Sequence, residues 1–193
     1  MADRSDELLA KSAKEGDMRA FEELFGRYKK AILNFIYRLI GNRETAEEVA
    51  LEVFMKVYEN IGIYDPERKF ATWLYTIARN LSKNALRDKK YFKDMSLEEN
   101  IAGEGDVLKL KDVIADPGAG PDVIAQSDEL NVEAQRVLGE LPAEYREVIA
   151  LCSMQGLTQD EASKILGCSI ATVSIRLEKA KELFMKKLGM AHE

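Results

Sequence analysis

The stretch LTQDEASKILGCSIATVSIRLEKAKELF, residues 157–184, decides how the chain is read. Thr158-Gln159-Asp160-Glu161 has the form of a capping box, in which a threonine and a glutamate three residues on satisfy free backbone N–H groups at a helix start. Ala162, Ile165 and Leu166 follow at helical spacing, Gly167-Cys168 makes a tight turn, and Ser169 is placed to cap a longer helix. That helix carries Val173, Leu177, Ala180, Phe184 and Leu188 on its buried side. Ala162 is small where two helices must cross closely, and Ile165 and Val173 suit a shared core. The pattern is a helix-turn-helix. In such a motif the second helix enters the major groove of duplex DNA, and its N-terminal residues meet base edges. The candidate readers are Ser169, Thr172, Ser174, Ile175, Arg176, Glu178 and Lys179, with Ile175 suited to a thymine methyl. A generic helical hairpin with a solvated face is the plainer alternative, but it leaves the cap, the turn and the core pattern uncombined.

Upstream, the pattern stays helical. Val132, Val137 and Leu138 share one short helix, and Leu141-Pro142 breaks it. Pro142 suits the first position of the next helix, which buries Tyr145, Val148, Ile149 and Cys152 and ends at Gly156. Residues 94–127 read differently. They are acidic, lack a sustained apolar stripe, and contain DPGAGPD at 116–122, so they are expected to form a flexible linker.

Before the linker, four helices are expected. Ser5 or Asp6 can cap a short one that Gly16 ends. Asp17 caps a second, whose stripe of Met18, Phe21, Phe25, Tyr28, Ile32, Phe35 and Leu39 stops at Gly41-Asn42. A third carries Ala46, Val49, Val53, Phe54, Val57 and Ile61, and Gly62 is expected to close it. After a turn at Tyr64-Asp65-Pro66-Glu67, the fourth runs from Phe70 to about Lys93, with Phe70, Trp73, Leu74, Ile77, Leu81 and Ala85 facing inward. The fold class is therefore all-α: two small helical domains, at 1–93 and 128–193, joined by the linker.

Charge is distributed to match. The net charge of −6 argues against nucleic acid only on average. From Tyr75 to Lys93 there are six basic residues and one acid, whereas from Asp94 to Glu133 eleven acids face two lysines. The fourth helix sets Thr76, Arg79, Asn80, Lys83, Asn84 and Arg87 on one face, beside Tyr64, Lys69, Phe70, Trp73 and Tyr75. Cations hold phosphates, asparagine reads base edges, and aromatic rings stack on unpaired bases, so this combination points to melted or single-stranded DNA. Trp73 by itself reads as a core residue.

The remaining composition excludes more than it suggests. No apolar run approaches the roughly 20 residues that span a bilayer, and the acidic, polar first residues do not resemble a secretory leader, so a cytoplasmic location is expected. Cys152 and Cys168 are far from CxxC spacing and His192 stands alone at the C-terminus, so neither a metal nor any other cofactor is expected. No nucleophile signature or glycine-rich phosphate loop is present, so the chain is not expected to be an enzyme.

Two segments carry a resemblance to the extracytoplasmic-function (group four) sigma factors of bacterial RNA polymerase. Phe70-Ala71-Thr72-Trp73-Leu74-Tyr75-Thr76-Ile77-Ala78-Arg79-Asn80 is similar to that family's F-x-x-W-L-x-x-I-A-x-N signature, and Glu44-Thr45-Ala46-Glu47-Glu48-Val49 with Glu52-Val53-Phe54 is similar to its A-E-D-x-x-Q-E-x-F helix. Leu141-Pro142, Tyr145-Arg146, Gly156-Leu157-Thr158, Thr172-Val173 and Arg176-Leu177 match its C-terminal domain. Leu51 stands where the family usually has glutamine, and Glu48 where it usually has aspartate. The resemblance implies that Glu47, Glu48, Leu51 and Glu52 contact core RNA polymerase. It implies that the basic helix recognises and opens the minus-ten promoter element, with Asn80 reading a base and the loop 63–69 accepting a flipped one. It implies that the helix-turn-helix reads the minus-thirty-five element as duplex, and that an anti-sigma factor holds the protein inactive in a stress or envelope response. A helix-turn-helix regulator that acts without polymerase is the alternative.

Overall fold

The computed structural model describes residues 4–92 and 129–189; the acidic stretch 94–127 and His192 lie outside the described residues. Eight α-helices form among them: α1 Asp6–Lys14, α2 Met18–Ile40, α3 Arg43–Asn60, α4 Phe70–Phe92, α5 Glu129–Glu140, α6 Ala143–Ile149, α7 Gln159–Leu166 and α8 Ile170–Lys187. There is no strand among the described residues.

Local chemistry sets the helix ends. Ser5, not Asp6, caps α1, accepting from the Leu8 N–H at 3.3 Å. The Asp6 carboxylate is used across the fold instead, where it accepts from the Arg27 guanidinium at 2.7 Å and from the Tyr28 hydroxyl. Asp17 caps α2 and Asn42 caps α3. Gly41 ends α2 at φ +76°, a left-handed conformation that suits glycine. Gly62 does not close α3 in that way. The chain tightens into a 3₁₀ turn, Ile61–Ile63, which leads straight into the Tyr64 loop. Pro142 precedes α6 as its N-cap instead of occupying its first turn.

In the N-terminal half, α2, α3 and α4 pack around Phe35, Ile32, Ile36, Val53, Val57, Phe70 and Leu74, all at most 1% exposed. Burying each of the larger of these contributes roughly 1.5–3 kcal/mol relative to exposure. Edge-to-face rings tie the helices together: Phe25 on Phe54 at 4.7 Å and Phe35 on Tyr75 at 5.2 Å. The C-terminal half is built on Val137, Leu138, Val148, Leu151, Ala162, Ile165 and Val173. Val132, which shares the short helix with Val137 and Leu138, is 61% exposed, and Tyr145 and Cys152, expected to be buried, are half-buried.

The two halves pack directly on one another. Helix α7 lies on α4, and α5 and α6 lie on α2. Arg146 of α6 donates to the Leu39 carbonyl at 2.7 Å, using the open C-terminal end of α2, and to the Gly139 and Leu141 carbonyls at 2.8 and 3.0 Å. Arg38 donates to the Gln135 side chain at 3.1 Å, and Gln135 donates on to the Tyr37 carbonyl at 3.2 Å. Burial lowers the pKa of both arginines from the usual guanidinium range.

Candidate nucleic-acid interface

The helix-turn-helix is formed as its residues require. Thr158 and Glu161 complete the capping box, Gly167 turns the chain at φ +68°, and Ser169 caps α8 by accepting from the Thr172 N–H at 3.1 Å. Ser169 and Thr172 also join through their hydroxyls at 2.8 Å. Ile175, 69% exposed, stands out from α8 with exposed Glu178 and Lys179, while Thr172, Ser174 and Arg176 are half-buried. Arg176 reaches Glu144 of α6 at 3.5 Å, and Lys179 is held by Glu182 at 2.8 Å. An α-helix with a largely polar, solvent-facing N-terminal half is the shape that enters a major groove.

The candidates around α4 divide into three groups. Asn80, Lys83, Asn84 and Arg87 are exposed along the helix, as the pattern implied. Thr76 is half-buried and turns its hydroxyl back onto the Thr72 carbonyl at 2.7 Å. Tyr64, Phe70 and Tyr75 are in the core at 2%, 1% and 3% exposure, so they offer no ring face to a base in this arrangement. Tyr64 lies 5.6 Å from Phe70 and 5.1 Å from Trp73, and its hydroxyl donates to the Arg68 carbonyl, which pins the loop from below. Burial, helped by the nearby charges of Glu7, Asp65 and Asp6, pushes the Tyr64 phenol up to about 12. Phe70 was expected inward from its spacing, but for Tyr64 and Tyr75 the sequence pattern could not distinguish stacking platform from core, because an aromatic ring serves both.

The third group faces the C-terminal half. Lys69 donates to Glu161 at 2.7 Å, the Tyr75 hydroxyl donates to the Gln155 side chain at 2.9 Å, and Arg79 donates to Glu147 at 2.8 Å and to the Ile165 carbonyl at 3.4 Å. The Lys69 ammonium, followed by the Thr158 N–H and hydroxyl, holds the Glu161 carboxyl down at about 2 against the opposing effect of burial. Burial raises the Tyr75 phenol above its ordinary value. A cavity of about 560 Å³ opens beside the Lys69–Glu161 pair, between Thr72, Trp73 and Thr76 on one side and Asp160 and Lys164 on the other. It adjoins the 63–69 loop through Glu67, Arg68 and Lys69, and one of its walls belongs to α7. Glu147 and Gln155 were not singled out in the sequence, and Glu161 only as part of a capping box, since their positions against α4 arise only from the packing of the two halves.

Elsewhere on the N-terminal half, Glu47, Glu48 and Glu52 are exposed on α3 and Leu51 is half-buried among them. Glu47 is paired with Arg43 one turn back at 2.8 Å. These residues form an acidic, solvent-exposed surface on α3.

Residues 24–91 match the family described as Sigma-70 region 2, and residues 131–183 match Sigma-70, region 4. The chain is 36% identical over 178 residues to the ECF RNA polymerase sigma factor SigW of Bacillus subtilis, covering 92% of this chain and 94% of that one. It is 30% identical over 191 residues to the RNA polymerase sigma-H factor of Pseudomonas aeruginosa, covering 97% and 96%. Its fold is similar to that of CnrH in complex with the cytosolic domain of CnrY (TM-score 0.69, 23% identity, 98% of this chain and 100% of that one). It is also similar to RpoE in complex with the anti-sigma factor NepR from Bartonella quintana (TM-score 0.68, 22% identity, 89% and 98%).

Proposed function

The chain belongs to the extracytoplasmic-function sigma factors of bacterial RNA polymerase, and from that premise we propose how its parts divide the work. As a sigma factor it binds core polymerase and directs transcription to start at particular promoters. In our reading, residues 1–93 are the unit that docks on polymerase and opens the minus-ten element, 128–193 is the unit that reads the minus-thirty-five element, and 94–127 tethers them. Docking uses the acidic α3 surface of Glu47, Glu48, Leu51 and Glu52. The exposed Asn80, Lys83, Asn84 and Arg87 of α4 hold the melted strand, joined by Lys69, Thr76 and Arg79. On α8, Ser169, Thr172, Ser174, Ile175, Arg176, Glu178 and Lys179 meet duplex. The protein acts by binding, not by catalysis, and works in the cytoplasm; among the described residues no helix is long and apolar enough to cross a membrane.

The single observation that carries this reading is the pairing, in one chain, of a capped helix-turn-helix with a second basic helix that exposes asparagines and cations. A regulator that binds duplex alone has no use for the second surface. An anti-sigma partner is part of the proposal, supported by the resemblance to RpoE, whose structure was determined with the anti-sigma factor NepR. Run-off transcription with purified core polymerase and a promoter library tests the function. The expected result is a defined transcript that requires this chain. DNA binding at a specific site without polymerase, and no transcript with it, supports the polymerase-independent regulator instead.

A further inference from the structure

Charge along the open side of α8 is unevenly satisfied. Arg176 reaches Glu144 of α6 at 3.5 Å, and Lys179 is held by Glu182 of its own helix at 2.8 Å. Glu178, which lies between them in sequence, is exposed, and its carboxylate has no ion-pair or hydrogen-bond partner among the described residues. Ile175, 69% exposed, stands three residues before it. Residues at this spacing are neighbours on one helix face, about 4.5 Å apart along the axis. Successive base pairs are about 3.4 Å apart, so the two side chains match neighbouring pairs in a groove. Exposed ion pairs are weak, so Arg176 and Lys179 can turn from their carboxylates to phosphate oxygens when duplex arrives. A carboxylate has no such exchange. Phosphates repel it, and it weakens binding to every sequence unless it meets a hydrogen-bond donor in the groove.

The major groove offers two such donors, the amino groups at cytosine N4 and adenine N6. Adenine sets the acceptor N7 beside its amino group, which opposes the second carboxylate oxygen, whereas cytosine sets a carbon-bound hydrogen there. We propose that Glu178 is a specificity residue of this chain, accepting from the N4 amino group of a cytosine in the minus-thirty-five element, next to the base pair whose thymine methyl meets Ile175. This inference rests on the reading of α8 as the helix that meets duplex. An acid at this position also rejects a guanine edge, whose O6 and N7 are both acceptors, and a thymine edge, whose O4 is one. Selection there is of both kinds, attraction to an amino group and repulsion from acceptors.

The test is run-off transcription by core RNA polymerase carrying the full chain, from a promoter library randomised through the minus-thirty-five element. The original chain is compared with Glu178→Ala, Glu178→Gln and Ile175→Ala, substitutions at exposed positions that should leave the fold unaffected. The expected result is one position at which cytosine is favoured by about tenfold over the other bases. Glu178→Ala should flatten that position and leave the others unchanged. Glu178→Gln should move the preference to adenine, because an amide donates to N7 while it accepts from N6. Absence of a cytosine preference in the original chain overturns the proposal, as does a cytosine preference that Glu178→Ala leaves intact. A gain for Glu178→Ala that is equal at every sequence also overturns it, since that is the mark of a charge that only repels. Ile175→Ala separates the two readings. If it changes the preferred sequence while Glu178→Ala does not, α8 meets duplex and only the role of Glu178 fails. If neither variant changes selection at any position of the element, the assignment of α8 fails.

Discussion

Asn80 lies on the open face of α4, whereas Phe35 is fully buried against Tyr75, and the two positions test different things. Asn80→Ala should leave folding stability within about 0.5 kcal/mol, as exposed substitutions usually do. It should lower run-off transcription by about tenfold if its amide reads a base edge, since such contacts are worth roughly 1–3 kcal/mol. Phe35→Ala should behave in the opposite way, costing about 3–5 kcal/mol in urea unfolding because it leaves a cavity among α2, α3 and α4. If Asn80→Ala unfolds the protein, or transcription from every promoter is unchanged, the side chain has been misread. Arg146 shows why exposure alone is a poor guide to role. It is cationic, yet it serves three backbone carbonyls, and its buried Nε finds no partner.

At the scale of the element, α7 depends on its ends more than on its length. It has eight residues, too few to be stable as an isolated helix. Thr158→Ala removes the side chain that accepts from the Glu161 N–H at 3.2 Å and should cost about 0.5–2 kcal/mol, with Thr158→Ser restoring most of it. Thermal melts of the three proteins check this, and equal melting temperatures would remove the capping box from the account. The end of α6 is also shaped for position. The chain passes into a π turn, Ala150–Met154, with the Gln155 N–H reaching back to the Ala150 carbonyl at 3.0 Å. This wider turn places Gln155 within reach of the Tyr75 hydroxyl.

At the scale of the whole molecule, the contact between the halves should respond to acid. Glu161 titrates at about 2 in the folded protein against an ordinary 4.5, chiefly because Lys69 donates to it. A carboxylate whose pKa is depressed on folding adds stability above its unfolded value and loses it as pH falls toward the folded one. Stability should therefore drop between pH about 4.5 and about 2, and Glu161→Gln should flatten that part of the curve. Lys69 is 67% exposed, so salt screens the pair and the effect should shrink at high ionic strength. Parallel pH profiles for the original chain and the variant would count against the pair.

The helices and their caps at Asp17, Thr158 and Ser169 were legible in the residues, because capping and amphipathic spacing are local chemistry that acts within about one turn. What the residues could not disclose is that Tyr64 and Tyr75 turn inward and that Lys69 and Arg79 meet Glu161 and Glu147. An aromatic ring on a helix has the same spacing whether it packs or stacks, and an ion pair spanning 68 or 92 positions in the chain leaves no periodic trace. Those choices were made only when the two halves packed together, since burial and charge pairing depend on which surfaces meet.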